Sequence, residues 1–310
     1  MFQTKNDIST IQNFLTTSKQ SKELIKDFIT IITKSPNSYL QELLIEYNKK
    51  YSPDLYSTIK KSLSGNLQNL ILSLFTPLID FDCIQLRNSM EKKLGTDEEI
   101  LIEIIGSREN SILNSIKEKY SEIYKGRDLI KDITNETNGS LRQFLLLMLE
   151  GKKNYNTEIN QNECEKNAKD LLQAMDKMWG SEDCIFNKIF CYKSPLELSL
   201  ICREYHKLYN FTLLKTIDNE FSGNNKKILN IIISILICPS EFFARKINKA
   251  IKGVGINEKV LIRVLISRRY VDLVQIKLYY RQLFKKDMID DIKENINGIF
   301  GNIIVEILKN

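Results

Sequence analysis

The sequence predicts an all-α fold made of four copies of one helical unit. Three observations carry this. Gly (12) and Pro (5) are scarce in a chain of 310 residues, which disfavours turn-rich β architecture. Apolar residues recur at helical spacing, as in Val260, Leu261, Val264 and Leu265, and no long window alternates with the period of a strand. Two anchors repeat in register. One is a glycine-bearing loop followed by an acidic residue and an apolar run. The other is a small-polar-Gly turn followed by a second apolar run.

The turn anchor sets the register. It falls at Gly65 (LSG), Gly139 (TNG), Gly223 (FSG) and Gly298 (ING), at intervals of 74, 84 and 75 residues. In the first unit, 1–77, the turn precedes the helical stretch LQNLILSLF; the register puts the loop glycine at Lys22, where SKQSKEL has none. The second unit, 78–150, carries GTDEE from Gly95 and LRQFLLLML after its turn. A polar connector, GKKNYNTEINQNE, covers 151–163 and accounts for the long interval. The third unit, 164–239, carries GSEDC from Gly180 and NKKILNIII. The fourth, 240–310, reads as five helices: Ser240 to Lys252, Asn257 to Ser267, Val271 to Phe284, Asp287 to Asn295 and Phe300 to Leu308. The first of these ends at a glycine loop, as helices often do.

Composition narrows the function classes. Hydrophobic residues make up 43% and charged residues 27%, ordinary for a chain with a large buried core. The net charge of +6 is a mild basic bias, compatible with an anionic surface and diagnostic of none. Cys83, Cys164, Cys184, Cys191, Cys202 and Cys238 form no CxxC pair and several lie in apolar runs, so the expectation is reduced, packed thiols. His206 is the single histidine, which argues against a His-based triad or a multi-histidine metal site. MFQTKNDIST has no apolar core segment of a leader, and the longest apolar run, Ile228 to Cys238, is too short to span a bilayer.

With KGVG at Lys252–Gly255, LGTDEE at Leu94–Glu99 and the recurring pairs Ser107–Arg108 and Ser267–Arg268, the chain resembles the annexins over nearly its whole length. The Lys-, Asn- and Ile-rich composition and the missing first loop glycine mark a divergent member; the protist giardins are one such branch. The resemblance implies four repeats of five short helices forming one curved disc. It implies a non-enzymatic cytoplasmic protein, peripheral at the inner face of membranes, that binds anionic phospholipid through Ca2+. A nucleic-acid partner is not expected. The alternative is a scaffold or cytoskeleton-associated protein of the same fold, partnered with a cytoskeletal protein, that has lost most calcium sites.

The resemblance also implies the ligand set. Three loop carbonyls and a bidentate acid from the turn before the fifth helix hold the ion, and waters or lipid phosphate complete its shell. A hard cation wants six to eight oxygens, and neutral carbonyls leave its charge uncompensated, so the acid matters most. In the third repeat these are Asp176, Met178 and Gly180 with Glu220, 40 residues beyond Gly180. In the second they are Glu91, Lys93 and Gly95 with Glu136, at an offset of 41; the surplus residue is expected near Tyr124–Lys125. Met178 and Lys93 stand where the family has glycine. The fourth loop, Ile251, Gly253 and Gly255, is intact, but Asn295 occupies the acid position and Glu294 is the neighbouring acid. Ser62 fills that position in the first repeat, where no site is expected. Trp179 at the third loop's tip is a candidate membrane contact, since Trp favours the headgroup level; a ring folded onto a neighbouring helix is the other reading. Lys177 and Lys252, with Lys92 and Lys93, lie near the same face and would attract anionic lipid.

Overall fold

A computed structural model describes residues 2–91, 95–155, 158–175 and 185–309. Among the described residues there are twenty α-helices and no strand, five helices to each repeat. The first repeat holds α1 (Phe2–Thr16), α2 (Lys22–Lys34), α3 (Asn37–Lys50), α4 (Leu55–Ser62) and α5 (Gly65–Phe75). The second holds α6 (Leu78–Met90), α7 (Glu98–Ser107), α8 (Asn110–Ile123), α9 (Leu129–Glu136) and α10 (Gly139–Leu149). The third holds α11 (Gln161–Met175), α12 (Ile185–Tyr192), α13 (Pro195–Tyr209), α14 (Leu213–Glu220) and α15 (Gly223–Ile237). The fourth holds α16 (Pro239–Lys252), α17 (Glu258–Arg268), α18 (Leu273–Phe284), α19 (Met288–Asn295) and α20 (Gly298–Lys309). No described helix is long and apolar enough to cross a membrane.

The turn anchors now have a local cause. Gly65, Gly139, Gly223 and Gly298 all have positive φ, between 54° and 75°, where a side chain would be strained. Seven or eight residues separate a buried tyrosine on each third helix from the cap of the fourth. The interval is seven from Tyr47 to Asp54, Tyr205 to Thr212 and Tyr280 to Asp287, and eight from Tyr120 to Asp128. The surplus residue of the second repeat therefore sits between α8 and α9, where Lys125 and Gly126 both take positive φ. Each cap side chain accepts a backbone N–H of the helix it opens, which supplies a partner the first turn otherwise lacks.

Three of the four tyrosines are anchored in the same way. Tyr120 donates to Asp132 at 2.7 Å and Tyr280 to Asp291 at 2.5 Å, while Tyr205 shares a 2.9 Å hydrogen bond with Thr216. Tyr47 departs from this and bonds Gln12. These hydroxyls bury their rings among Leu, Ile and Phe without leaving a polar atom unpaired.

The chain divides into two compact units. One contains 1–81 and 243–310, the first and fourth repeats; the other contains 82–242, the second and third. The pairing inside each unit is crosswise: α2 packs on α20 and α5 on α17, while α7 packs on α15 and α10 on α12. Polar links repeat too. Asn66 at the start of α5 bonds Glu258 of α17, and Asn224 at the start of α15 donates to Glu98 of α7 at 2.9 Å. Gly106 allows α7 and α15 to approach, since a Cβ there would lie 3.1 Å from Ile235 Cγ2.

One sequence expectation changes. Ser21 caps α2 as Asp97 and Asn257 cap α7 and α17, so the position matching Gly95 and Gly255 is Lys19, and Lys22 is the first residue of a helix. The first repeat is longer between this cap and its turn glycine, which displaced the register. The polar connector is anchored to its neighbours. Lys153 is buried, its carbonyl accepts from Asn110 Nδ2 at 2.9 Å, and the next N–H, of Asn154, donates to the Tyr192 carbonyl at 2.7 Å.

Candidate functional site

In the second repeat, loop and acid are held together. The Asp97 N–H donates to the Ser89 carbonyl at 2.8 Å and closes the loop, and the Asp97 side chain accepts from the Ile100 N–H at 3.4 Å. Gly95 lies within the loop at φ +98°, a conformation that turns the backbone where a side chain would be strained. Thr96 Oγ1 donates to Glu136 Oε2 at 3.1 Å. That bond places an exposed carboxylate from the end of α9 beside a loop 40 residues earlier in the chain. Glu91 is exposed and its carboxylate pairs with Arg87. Lys93, with Lys92, lies outside the described residues.

Asp132, one turn before Glu136, is occupied structurally. It accepts from Arg87 at 3.0 Å, from Arg127 at 2.9 and 3.0 Å and from Tyr120. Burial pushes its carboxyl up, but the Arg127 and Tyr120 hydrogen bonds outweigh burial and hold it below the usual carboxylate range.

In the third repeat Glu220 is the exposed last residue of α14. Asp176, Lys177, Met178, Trp179 and Gly180 lie outside the described residues.

The fourth loop closes as the second does, with the Asn257 N–H donating to the Ala250 carbonyl at 2.8 Å and the Asn257 side chain capping α17. Gly255 has φ +79°, and a Cβ on Gly253 would meet the Lys249 carbonyl oxygen at 3.0 Å. Ile251 is buried, while Val254 at the tip is fully exposed, at 112%. Lys252 Nζ lies 2.7 Å from Asp291 Oδ1, so the lysine expected near lipid is engaged with α19. Lys286 Nζ reaches the same oxygen at 2.9 Å. Burial raises the Asp291 carboxyl, yet hydrogen bonds from Lys252, Tyr280 and Lys286 bring it down to about 2. Asn295 Nδ2 turns inward to the Asp291 carbonyl at 2.7 Å and Oδ1 at 3.3 Å, and Glu294 pairs with Lys286. In the first repeat Ser62 ends α4, and Ser21 caps α2 without a glycine loop before it.

No group of three or more His, Cys, Asp or Glu side chains clusters as a metal site among the described residues. What the described residues of the second repeat bring together is one exposed carboxylate, Glu136, beside the loop at Thr96, and a carboxylate suits a hard oxygen-seeking cation. A cavity of about 310 Å³ adjoins this loop between α7 and α15, lined by Thr96, Glu98, Glu99, Lys227, Ile102 and Ile228 among others. Sequence reasoning missed the Lys252–Asp291 pair. The signal was present, since Asp291 matches Asp132 in register, four residues before the acid position of each repeat.

Comparison with known proteins accords with this geometry. The Annexin family model matches four segments, 19–74, 81–148, 166–232 and 242–307. Human annexin A1 is 34% identical over 277 residues, which is 89% of this chain and 80% of that protein. The solved structure of annexin III superposes with a TM-score of 0.89 at 28% identity, over 99% of this chain and 94% of that one. Calcium-bound alpha-14 giardin shares the fold, with a TM-score of 0.82 at 18% identity over 97% of this chain and 98% of that one. Four matched segments in register, each closing on a turn glycine before its fifth helix, make this chain a member of the annexin family.

Proposed function

We propose that this protein docks reversibly on anionic phospholipid surfaces through Ca2+ and catalyses no reaction. Annexins as a family bind phospholipid in a calcium-dependent way. The observation that carries the reading for this chain is the Thr96–Glu136 hydrogen bond, which brings the acid to its loop. The residues that would hold the ion are the carbonyls of Glu91, Lys93 and Gly95 with Glu136, and those of Asp176, Met178 and Gly180 with Glu220. When bound, the ion supplies positive charge that a lipid phosphate completes. Glu136 contributes the negative charge that offsets dehydration of such an ion, and Gly95 lets the backbone oxygens face it. Ile251, Gly253 and Gly255 keep the family's loop sequence without an acid.

Contact with the surface falls to the loop tips. Val254 is fully exposed there, and Trp179 occupies the same register in the third repeat. An apolar side chain at that place gains by entering the headgroup layer. The cavity beside Thr96 adds charged groups of both signs, suited to a zwitterionic or anionic headgroup. The site of action would be the cytoplasmic face of membranes.

Co-sedimentation with phosphatidylserine vesicles tests the proposal. The protein should pellet in calcium and return to the supernatant in chelator. One acid per site predicts weak affinity without lipid, roughly 10⁻⁴–10⁻³ M. The loop-less first repeat and the acid-less fourth favour, as a second reading, a scaffold or cytoskeleton-associated protein. Equal binding in calcium and chelator would select it.

A further inference from the structure

The second loop is one residue longer than the fourth. Its closing hydrogen bond joins 97 to 89, whereas that of the fourth joins 257 to 250. A longer loop has more conformations to lose, so contacts from outside carry more of the task of placing it. Arg87, in the last turn of α6, reaches out from the foot of this loop. Its guanidinium donates from Nη1 to Asp132 Oδ2 at 3.0 Å and from Nη2 to Glu91 Oε1, and it lies over the Tyr124 ring, 5.8 Å from the centroid. Glu91 opens the loop, and Asp132 is on α9, one turn before Glu136. Two ties thus join the loop and its foot to α9: Arg87 to Asp132, and Thr96 to Glu136. They differ in what a cation would do to them. A cation taking both oxygens of Glu136 competes with Thr96 for Oε2. Asp132 is buried and already filled by Arg87, Arg127 and Tyr120, so the first tie persists. In the fourth repeat Asn248 stands two residues before the closing carbonyl, as Arg87 does in the second, and donates to the Tyr280 hydroxyl at 3.1 Å.

We infer that Arg87 is the positioning residue of the second repeat's cation site: by tying the foot of the loop to Asp132, it keeps α9 in register with the loop while Glu136 exchanges Thr96 for the ion. This rests on the calcium reading of the second repeat for its purpose, but not for its geometry. The Arg87 side chain is only 15% exposed, so water competes little for it, unlike an ordinary surface pair. Its planar head offers several donors in a fixed fork, which lets one group hold two carboxylates at once. Arg127 supplies the contrast. It holds the same Asp132 through two nitrogens, at 3.0 and 2.9 Å, but it comes from the turn between α8 and α9 and its side chain is 51% exposed. It compensates the charge of Asp132 without joining it to the foot of the loop. The two arginines therefore separate compensation from positioning on a single acceptor.

Calcium titration calorimetry tests this on the full chain carrying Glu220→Gln, which removes the acid of the third repeat. In that background Arg87→Met should weaken calcium binding about tenfold, the low end of what groups supporting a metal ligand cost. Arg87→Lys, which keeps a charged donor for Asp132, should bring affinity back to within about threefold of the parent. Arg127→Met should change it by less than about twofold, since the pair it removes lies half in solvent. Hydrogen exchange over 95–100 in calcium-free protein gives a reading without metal. It should be about tenfold faster in Arg87→Met, and within about twofold of the parent in Arg127→Met. Either variant leaves Asp132 one arginine and Tyr120, and circular dichroism confirms that both fold. Unchanged calcium affinity in Arg87→Met overturns the inference. So does an equal loss in Arg127→Met, which would mean that both arginines only compensate Asp132. If the Glu220→Gln protein takes up no calcium, the calcium reading of the second repeat fails. Exchange over 95–100 then decides the tie by itself, and equal rates in Arg87→Met and its parent would overturn it.

Discussion

Replacing Lys153 by Met should stabilise the protein at neutral pH and cease to do so in alkali. Lys153 is 7% exposed within the connector between the second and third repeats. Its backbone cannot swing out easily, because Asn110 and Tyr192 hold it and its neighbour. Burial pushes the ammonium down from 10.5 to about 8 and outweighs the opposing effect of Cys191. The unfolded chain therefore binds this proton more tightly than the folded one. Below about pH 8 both states are protonated and the folded state carries the full cost, about 3 kcal/mol for a gap of that size. As pH rises from about 8 towards 10.5 the folded state releases its proton first and the cost fades. Lys153→Met keeps the length of the stem and removes the charge. Urea unfolding should show a gain of about 2–3 kcal/mol at pH 7 that shrinks to a few tenths near pH 10.5. A variant no more stable than the parent at pH 7 would refute the burial argument. A gain of equal size at both pH values would show that packing, not charge, is responsible.

Other outcomes follow from single positions. Gly301→Ala should lower the unfolding free energy, read by urea titration, by about 1–3 kcal/mol despite alanine's better helix propensity, because the new Cβ would lie 2.4 Å from the Ile296 carbonyl oxygen. On vesicles, Glu220→Gln should remove the largest share of calcium-dependent binding and Glu136→Gln a smaller share, since Lys93 burdens the second loop; Ser62→Ala should change nothing. Trp179→Ala should cut vesicle binding with an unchanged melting temperature; lost stability with unchanged binding would mean a packed ring.

The helical repeat was legible because its signals are local. A turn glycine must sit at positive φ, a cap must be short and polar, and an amphipathic helix must show its period; Gly139, Asp128 and Leu129–Glu136 satisfy these in sequence as in structure. The Lys22 register failed for a related reason. It was measured backwards from Gly65 by the spacing of other repeats, whereas Ser21 marks the helix start directly. Which repeats pair could not be read at all. Self-similar units look alike to one another, and only packing details such as Gly106 against Ile235, or Asn224 on Glu98, distinguish partners. At the site, the resemblance implies the acid position, but the bond that seats Glu136 beside its loop, from Thr96, is a tertiary contact that no spacing shows. The Lys252–Asp291 pair escaped for the same reason: a lysine beside a glycine loop reads as a charge offered to anionic lipid until Asp291 is seen beside it. The burial of Lys153 had no local signal, since a polar run does not mark which of its residues is packed.

A crystal structure of the protein grown in calcium would test the central claim most directly. The account predicts ions in the second and third repeats, each on loop carbonyls with one carboxylate oxygen pair, from Glu136 and Glu220. It predicts none in the first repeat, and in the fourth an intact Lys252–Asp291 pair. An ion in the second repeat that leaves Glu136 on Thr96 and takes no oxygen from it, or second and third loops that stay empty at saturating calcium, would contradict the account.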